Sequence, residues 1–152
     1  LAYIQPVFID LDMNTVEPAI GAHRMDKVYA WKSMLDMGIH TSGGSDAPVV
    51  SFDAMENIYF AVTRKNISGQ PQEGWIPSEK ISVDEAVKLF TKNAAYASYT
   101  EDENGTIEVG KNADFVVLEK NIYEIDPDEI KATKVDMTVL GGEIVYEREV
   151  EE

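Results

Sequence analysis

The chain predicts an α/β fold with a β-rich tail, and two observations carry that expectation. Through the first hundred residues, short apolar runs alternate with stretches whose apolar side chains recur every three to four residues. That order is expected of parallel strands joined by helices. After about residue 105 the helical periodicity stops and a two-residue alternation takes its place.

The elements follow in order. AYIQPVF (2–8) reads as a strand, with Pro6 towards its end because proline cannot donate to a ladder. A polar loop, IDLDMNTVEPAIG, follows. A helix is expected over about 24–37, with Met25, Val28, Trp31 and Leu35 on one face and Gly38 closing it. IHT (39–41) is a very short strand, running into the turn SGGSD. A second helix is expected over about 53–65, where Met55, Ile58, Tyr59 and Val62 keep the spacing i, i+3, i+4, i+7. After a Gly/Pro-rich loop, Ser82 and Glu85 form a capping box that opens a third helix, with a stripe of Val83, Ala86, Val87, Phe90 and Ala94. In the tail, ADFVVLEK reads as a buried-type strand and YEIDPDEI as a turn or short helix. KVDMTVL alternates apolar with polar, and Gly141-Gly142 can turn it back into EIVYERE.

Composition limits the function. The 152 residues are 44% hydrophobic, enough for a packed core. No apolar run approaches the roughly 18 residues of a membrane span. The first twelve residues lack a basic stretch and a cleavage site, so no secretory signal is expected. The absence of cysteine excludes disulfides and fits a reducing cytoplasm. The formal net charge of -15 makes nucleic acid and anionic membrane poor partners. Residues 101–152 carry 16 of the 28 acids but five of the 13 bases, which reads as a solvated acidic surface.

Several motifs dissolve on inspection. GTIEVGKN (105–112) misses the Ser or Thr of a phosphate loop and is followed by a strand, so the helix N-terminus that would hold a phosphate is missing. Ser42 and Ser45 do not stand in a nucleophile elbow and have no accompanying base. The two histidines, His23 and His40, cannot by themselves form a three-ligand nitrogen site.

Asp46 remains. It follows a backbone able to bend sharply, Ser-Gly-Gly-Ser, at what reads as the C-terminal end of a strand. In α/β folds that end faces the ligand crevice or barrel mouth. The residues alone leave two readings open. One is a plain turn aspartate, common for local hydrogen-bonding reasons. The other is a carboxylate presented to a cation or to a bound water.

A resemblance bears on that choice. GIHTSGGSDAPV, AVTR, ISVDEAVKLFTKNAAYAS, GTIEVGKNADFVVLEKNIYEI and VDMTVLGGEIVYE occur in that order. Together they resemble the C-terminal part of the amidohydrolase superfamily, in the branch of metal-dependent hydrolases that includes N-substituted formamide deformylase. The resemblance implies a (β/α)8 TIM barrel with a small β-sandwich built from both chain ends. AYIQPVF would be strand seven and IHT strand eight. Asp46 would be both catalytic residue and metal ligand. Gln5 and Arg24 would lie near the barrel mouth, with structural roles expected for both.

The family's histidine ligands, beginning with an H-x-H pair on strand one, have no counterpart here, and a barrel needs roughly 200 residues. The chain also opens on Leu1 rather than Met. A C-terminal fragment is therefore expected, with 1–105 a partial barrel and 106–152 the C-terminal share of the sandwich. The implied parent hydrolyses amide, formamide or cyclic amide C–N bonds in a small-molecule substrate with a metal-activated water. Its cofactor is a divalent metal, zinc by expectation, which the isolated chain would not hold. The fragment alone is expected to be inactive, the parent cytoplasmic and a homo-oligomer. The competing expectation is a noncatalytic folded module, an assembly or regulatory remnant of a truncated gene.

Overall fold

The computed structural model describes residues 1–149. Strand β1 (Ala2–Ile4) is shorter than the sequence suggests, and helix α1 (Phe8–Asp12) begins inside the stretch read as strand. The reason is Pro6, which has no N–H for the ladder and whose fixed φ suits the start of a helix. The Val7 N–H is taken instead by Asn57 Oδ1 at 3.2 Å. The expected polar loop is a second short helix, α2 (Val16–Ile20).

The expected helix over 24–37 is broken. A 3-10 turn (Ala22–Lys27) is separated from α3 (Trp31–Asp36) by extended Val28 and by Tyr29 at φ 48°. Tertiary contacts override the periodicity here. The Tyr29 ring lies 5.7 Å from both Trp31 and Trp75, its hydroxyl donates to Asp12, and its carbonyl accepts from Arg64 Nη1 at 2.9 Å. Gly38 does close α3: the Ile39 N–H reaches the Met34 carbonyl at 3.0 Å and the Gly38 N–H the Leu35 carbonyl at 2.9 Å, a Schellman motif.

Strand β2 (Thr41–Gly43) lies two residues later than expected and runs directly into the second glycine of the turn. It pairs with β1 in parallel, Ala2 opposite Thr41 and Ile4 opposite Gly43. Helix α4 (Ala54–Thr63) is capped by Asp53, whose side chain accepts from the Met55 N–H at 2.8 Å. Helix α5 (Val83–Phe90) opens on the Ser82–Glu85 capping box. The stripe that continues to Ala94 is interrupted at Thr91 (φ −125°, ψ −98°), after which α6 (Lys92–Ala97) begins.

The tail forms a three-stranded antiparallel sheet, β3 (Phe115–Leu118), β4 (Val135–Leu140) and β5 (Glu143–Glu147), with β4 central. Gly141 and Gly142 make the β4–β5 turn, both at positive φ, as a type I′ turn requires. The stretch YEIDPDEI (123–130), read as a turn or short helix, runs into a 3-10 helix over Pro127–Ala132.

β3 is not buried as its apolar run suggests: Phe115, Val116 and Val117 are 38%, 54% and 42% exposed. An apolar run reports that a strand wants cover, not that cover is present. The main apolar cluster instead joins β1, α1, α3, α4 and α5, with Ile9, Trp31, Tyr59, Phe60 and Leu89 almost fully excluded from solvent. Ile122 and Ile130, from beyond residue 105, belong to that same cluster.

Candidate metal-ligand site at the end of a parallel strand

The parallel ladder fixes where Asp46 stands. The Ala2 N–H bonds to the His40 carbonyl and the Gly44 N–H to the Ile4 carbonyl, each at 2.9 Å. The chain therefore leaves the sheet at Gly44, and Asp46 lies just past the C-terminal end of β2. Its backbone is left-handed, φ 60°, a region aspartate tolerates better than most residues. Its carbonyl accepts from the Val49 N–H at 3.0 Å, which closes the turn. Its side chain is exposed, and among the described residues no hydrogen bond or ion pair engages the carboxylate. A turn aspartate present only for local bonding would cap a nearby N–H. Here Ser45 does that, its Oγ accepting from the Ala47 N–H at 3.3 Å.

The flanking residues hold the strand that carries the turn. Thr41 and Ser42 are buried. Asn93, on α6, donates from Nδ2 to the Thr41 carbonyl at 2.9 Å. The Phe90 ring stands where a Gly43 side chain would be: a Cβ there would meet the ring carbons at 2.7 to 3.0 Å. Sequence reasoning did not single out Asn93 or Phe90 as site residues, although both sit in the segment VKLFTKNAA.

The other candidates separate clearly. Gln5 follows β1 directly and shares the C-terminal edge of the sheet with Asp46, but the interaction found at Gln5 is local, its carbonyl accepting from the Phe8 N–H at 3.1 Å. His40 precedes β2 and so lies at the opposite end of the strand, stacked on Tyr96 with ring centroids 4.0 Å apart. His23 and Arg24 are exposed on the 3-10 turn.

Among the described residues, no three His, Cys, Asp or Glu side chains stand close enough to hold a metal ion. Asp46 supplies one hard oxygen donor, short of the three protein ligands a catalytic zinc takes. The described residues alone therefore do not make a metal centre; Asp46 is a carboxylate without a hydrogen bond or ion pair among them, at the C-terminal end of β2. No described helix is long and apolar enough to cross a membrane.

A parallel strand pair followed by a glycine turn, with helices packed against it, places the chain among α/β proteins. The profile of the amidohydrolase family matches residues 1–146, and the chain belongs to that family. It is 38% identical over 145 residues to the putative amidohydrolase YtcJ of Bacillus subtilis, covering 95% of this chain and 27% of that protein. It is 35% identical over 122 residues to N-substituted formamide deformylase of Arthrobacter pascens, covering 80% of this chain and 22% of that one. An uncharacterized metal-dependent hydrolase from Pyrococcus horikoshii superposes with a TM-score of 0.71 at 22% identity, over 82% of this chain and 25% of that chain. This chain thus spans about a quarter of the length of these proteins.

Proposed function

We propose that the chain is the C-terminal part of a metal-dependent hydrolase that cleaves non-peptide C–N bonds, with Asp46 as metal ligand and proton acceptor. In this reading β1 and β2 are strands seven and eight of a TIM barrel, residues 1–105 are the barrel's last portion, and 106–152 are the C-terminal share of a β-sandwich. The remaining ligands come from strands outside this chain.

The observation that carries the reading is the Asp46 turn itself: a left-handed backbone holding an exposed, unengaged carboxylate at the C-terminal end of a parallel strand. The exposed apolar residues of β3 and β5, among them Val116, Ile144 and Tyr146, support it further, since they would be covered by the N-terminal share of the sandwich.

When bound, a divalent ion, zinc in our reading, lowers the pKa of a water to about 7 and makes a nucleophile available at neutral pH. Asp46 would take the proton released as the water oxygen bonds to the substrate carbon. It would return that proton to the nitrogen as the C–N bond breaks, so that an amine leaves.

The test is Asp46→Asn in the full-length protein, assayed on N-substituted formamides and cyclic amides with metal content measured alongside. Loss of the base alone removes about 10²–10⁴ in rate, and loss of a ligand lowers the bound metal. Activity and metal content within a few-fold of wild type would overturn the assignment.

A further inference from the structure

We propose that Asn93 and Phe90 are positioning residues that set the height and angle of the Asp46 turn; the proposal rests on the reading of Asp46 given above. The backbone geometry of β2 leads to it. Along a strand, the backbone groups of alternate residues point to opposite edges. The His40 carbonyl and the Gly44 N–H both point at β1. The Thr41 carbonyl therefore faces the other edge, where the next strand would lie. Asn93 occupies that position and donates to it at 2.9 Å across 52 residues of sequence. A side-chain amide thus replaces one rung of a ladder. It leaves only the Gly43 end of that edge free for a neighbouring strand.

Two residues later the Phe90 ring packs against Gly43 so closely that a Cβ cannot be accommodated without movement. β2 is only three residues long and has one strand partner among the described residues. These two contacts, one polar and one steric, fix its free edge and its face. Both come from the α5–α6 junction, where Thr91 breaks the helix and redirects Asn93 towards the strand. Asp46 lies three residues beyond Gly43, so a shift of β2 moves the carboxylate with it.

The experiment uses three variants of the full-length protein. Asn93→Asp keeps the shape of the side chain and removes its donor. Gly43→Ala forces the strand off the Phe90 ring, and Gly43→Ala combined with Phe90→Leu gives the room back. The readouts are kcat, KM, metal affinity of the metal-free protein, and amide exchange at Gly44, all well below the melting temperature. Partners that orient a ligand typically contribute 10–100-fold to affinity or activity. Asn93→Asp and Gly43→Ala should therefore each lower kcat and metal affinity by about that factor, leave KM within threefold, and speed Gly44 exchange while α4 amides stay protected. The double variant should recover most of the Gly43→Ala loss.

Lower melting temperatures with wild-type kcat, metal affinity and Gly44 exchange would overturn the proposal and leave these contacts purely structural. Failure of the double variant to recover kcat would overturn the Phe90 part. If Asp46→Asn stays active the reading of Asp46 fails separately, and Gly44 exchange still decides whether Asn93 and Phe90 fix the turn.

Discussion

The guanidinium carbon of Arg64 stands 4.6 Å from the centroid of the Trp31 ring, and neither side chain is more than 1% exposed. Arg64 also donates from Nε to the Trp75 carbonyl at 2.6 Å and from Nη1 to the Tyr29 carbonyl at 2.9 Å. Burial pushes its pKa down to about 10, with the Glu79 carboxylate opposing that shift. It is still a cation at neutral pH, and it ties the Tyr29 break to the loop before Trp75.

Replacing Arg64 with Met should therefore be costly despite a similar volume. The Tyr29 carbonyl keeps the Trp31 N–H at 2.9 Å, but the Trp75 carbonyl loses its donor, at about 1–3 kcal/mol for an unsatisfied group. Urea unfolding should show a loss of roughly 1–3 kcal/mol on that basis, with an unchanged m-value. A loss under 0.5 kcal/mol would mean that water replaces the guanidinium at the Trp75 carbonyl.

Tyr29 predicts an alkaline effect of definite sign. Burial holds its hydroxyl above the usual tyrosine range, and the hydrogen bond to Asp12 adds to this. The folded state thus keeps a proton that the unfolded chain loses near pH 10. Its contribution is complete below about pH 10 and is lost as pH rises towards the folded value. Arg64 acts in the opposite direction over part of the same range, because its folded pKa lies below its unfolded one. The comparison to make is wild type against Tyr29→Phe: the stability advantage of wild type should shrink steadily above pH 10. A constant difference from pH 8 to 11 would show that Tyr29 ionises as freely folded as unfolded.

On the acid side the group to follow is Glu119. Its carboxyl is held below the usual range, first by the Lys134 backbone N–H at 3.0 Å and then by Arg148 at 3.2 Å. The stability it contributes is present above about pH 4.3 and is lost as pH falls through the lower folded value. In Glu119→Gln that part of the acid limb should disappear, read from urea midpoints between pH 3 and 6. Parallel limbs for the two proteins would remove Glu119 from the account.

The tail sheet predicts association of the 152-residue chain on its own. Val116, Val145 and Ile144 are each more than half exposed, and among the described residues β3 and β5 are the unpaired edges of the sheet. Such surfaces pair with copies of themselves. The net charge of -15 opposes this, but salt at physiological strength screens charges beyond about 8 Å. Sedimentation equilibrium should show dimers or larger species that increase with concentration and with salt. One monomeric species across the range would indicate that these faces tolerate water.

What the sequence made legible is what its local signals control. The Ser82–Glu85 box, the Gly38 stop and the Gly141-Gly142 turn each depend on residues within a few positions, and each is present. The shortfalls depend on partners far along the chain. Tyr29 leaves helical geometry while in contact with Asp12, Arg64 and Trp75. The FVVL run of β3 gave no indication that its other face is open. At the site, the glycine pair drew attention to Asp46. Asn93 went unmarked because its acceptor lies 52 residues earlier.

Ile130 is fully excluded from solvent, in the same cluster as Ile58 and Tyr59 of α4. Lys65, just past α4, pairs with Asp128 at 2.6 Å, and Lys131 donates to the Ile67 carbonyl at 2.6 Å. The unit that can be exchanged between relatives is therefore not the segment after residue 105. A chimera joined there would set a foreign isoleucine and a foreign lysine against a helix shaped for others. Grafts that carry α4 together with the tail should keep their cooperativity, so recombination among members of this family should favour crossovers upstream of Asp53.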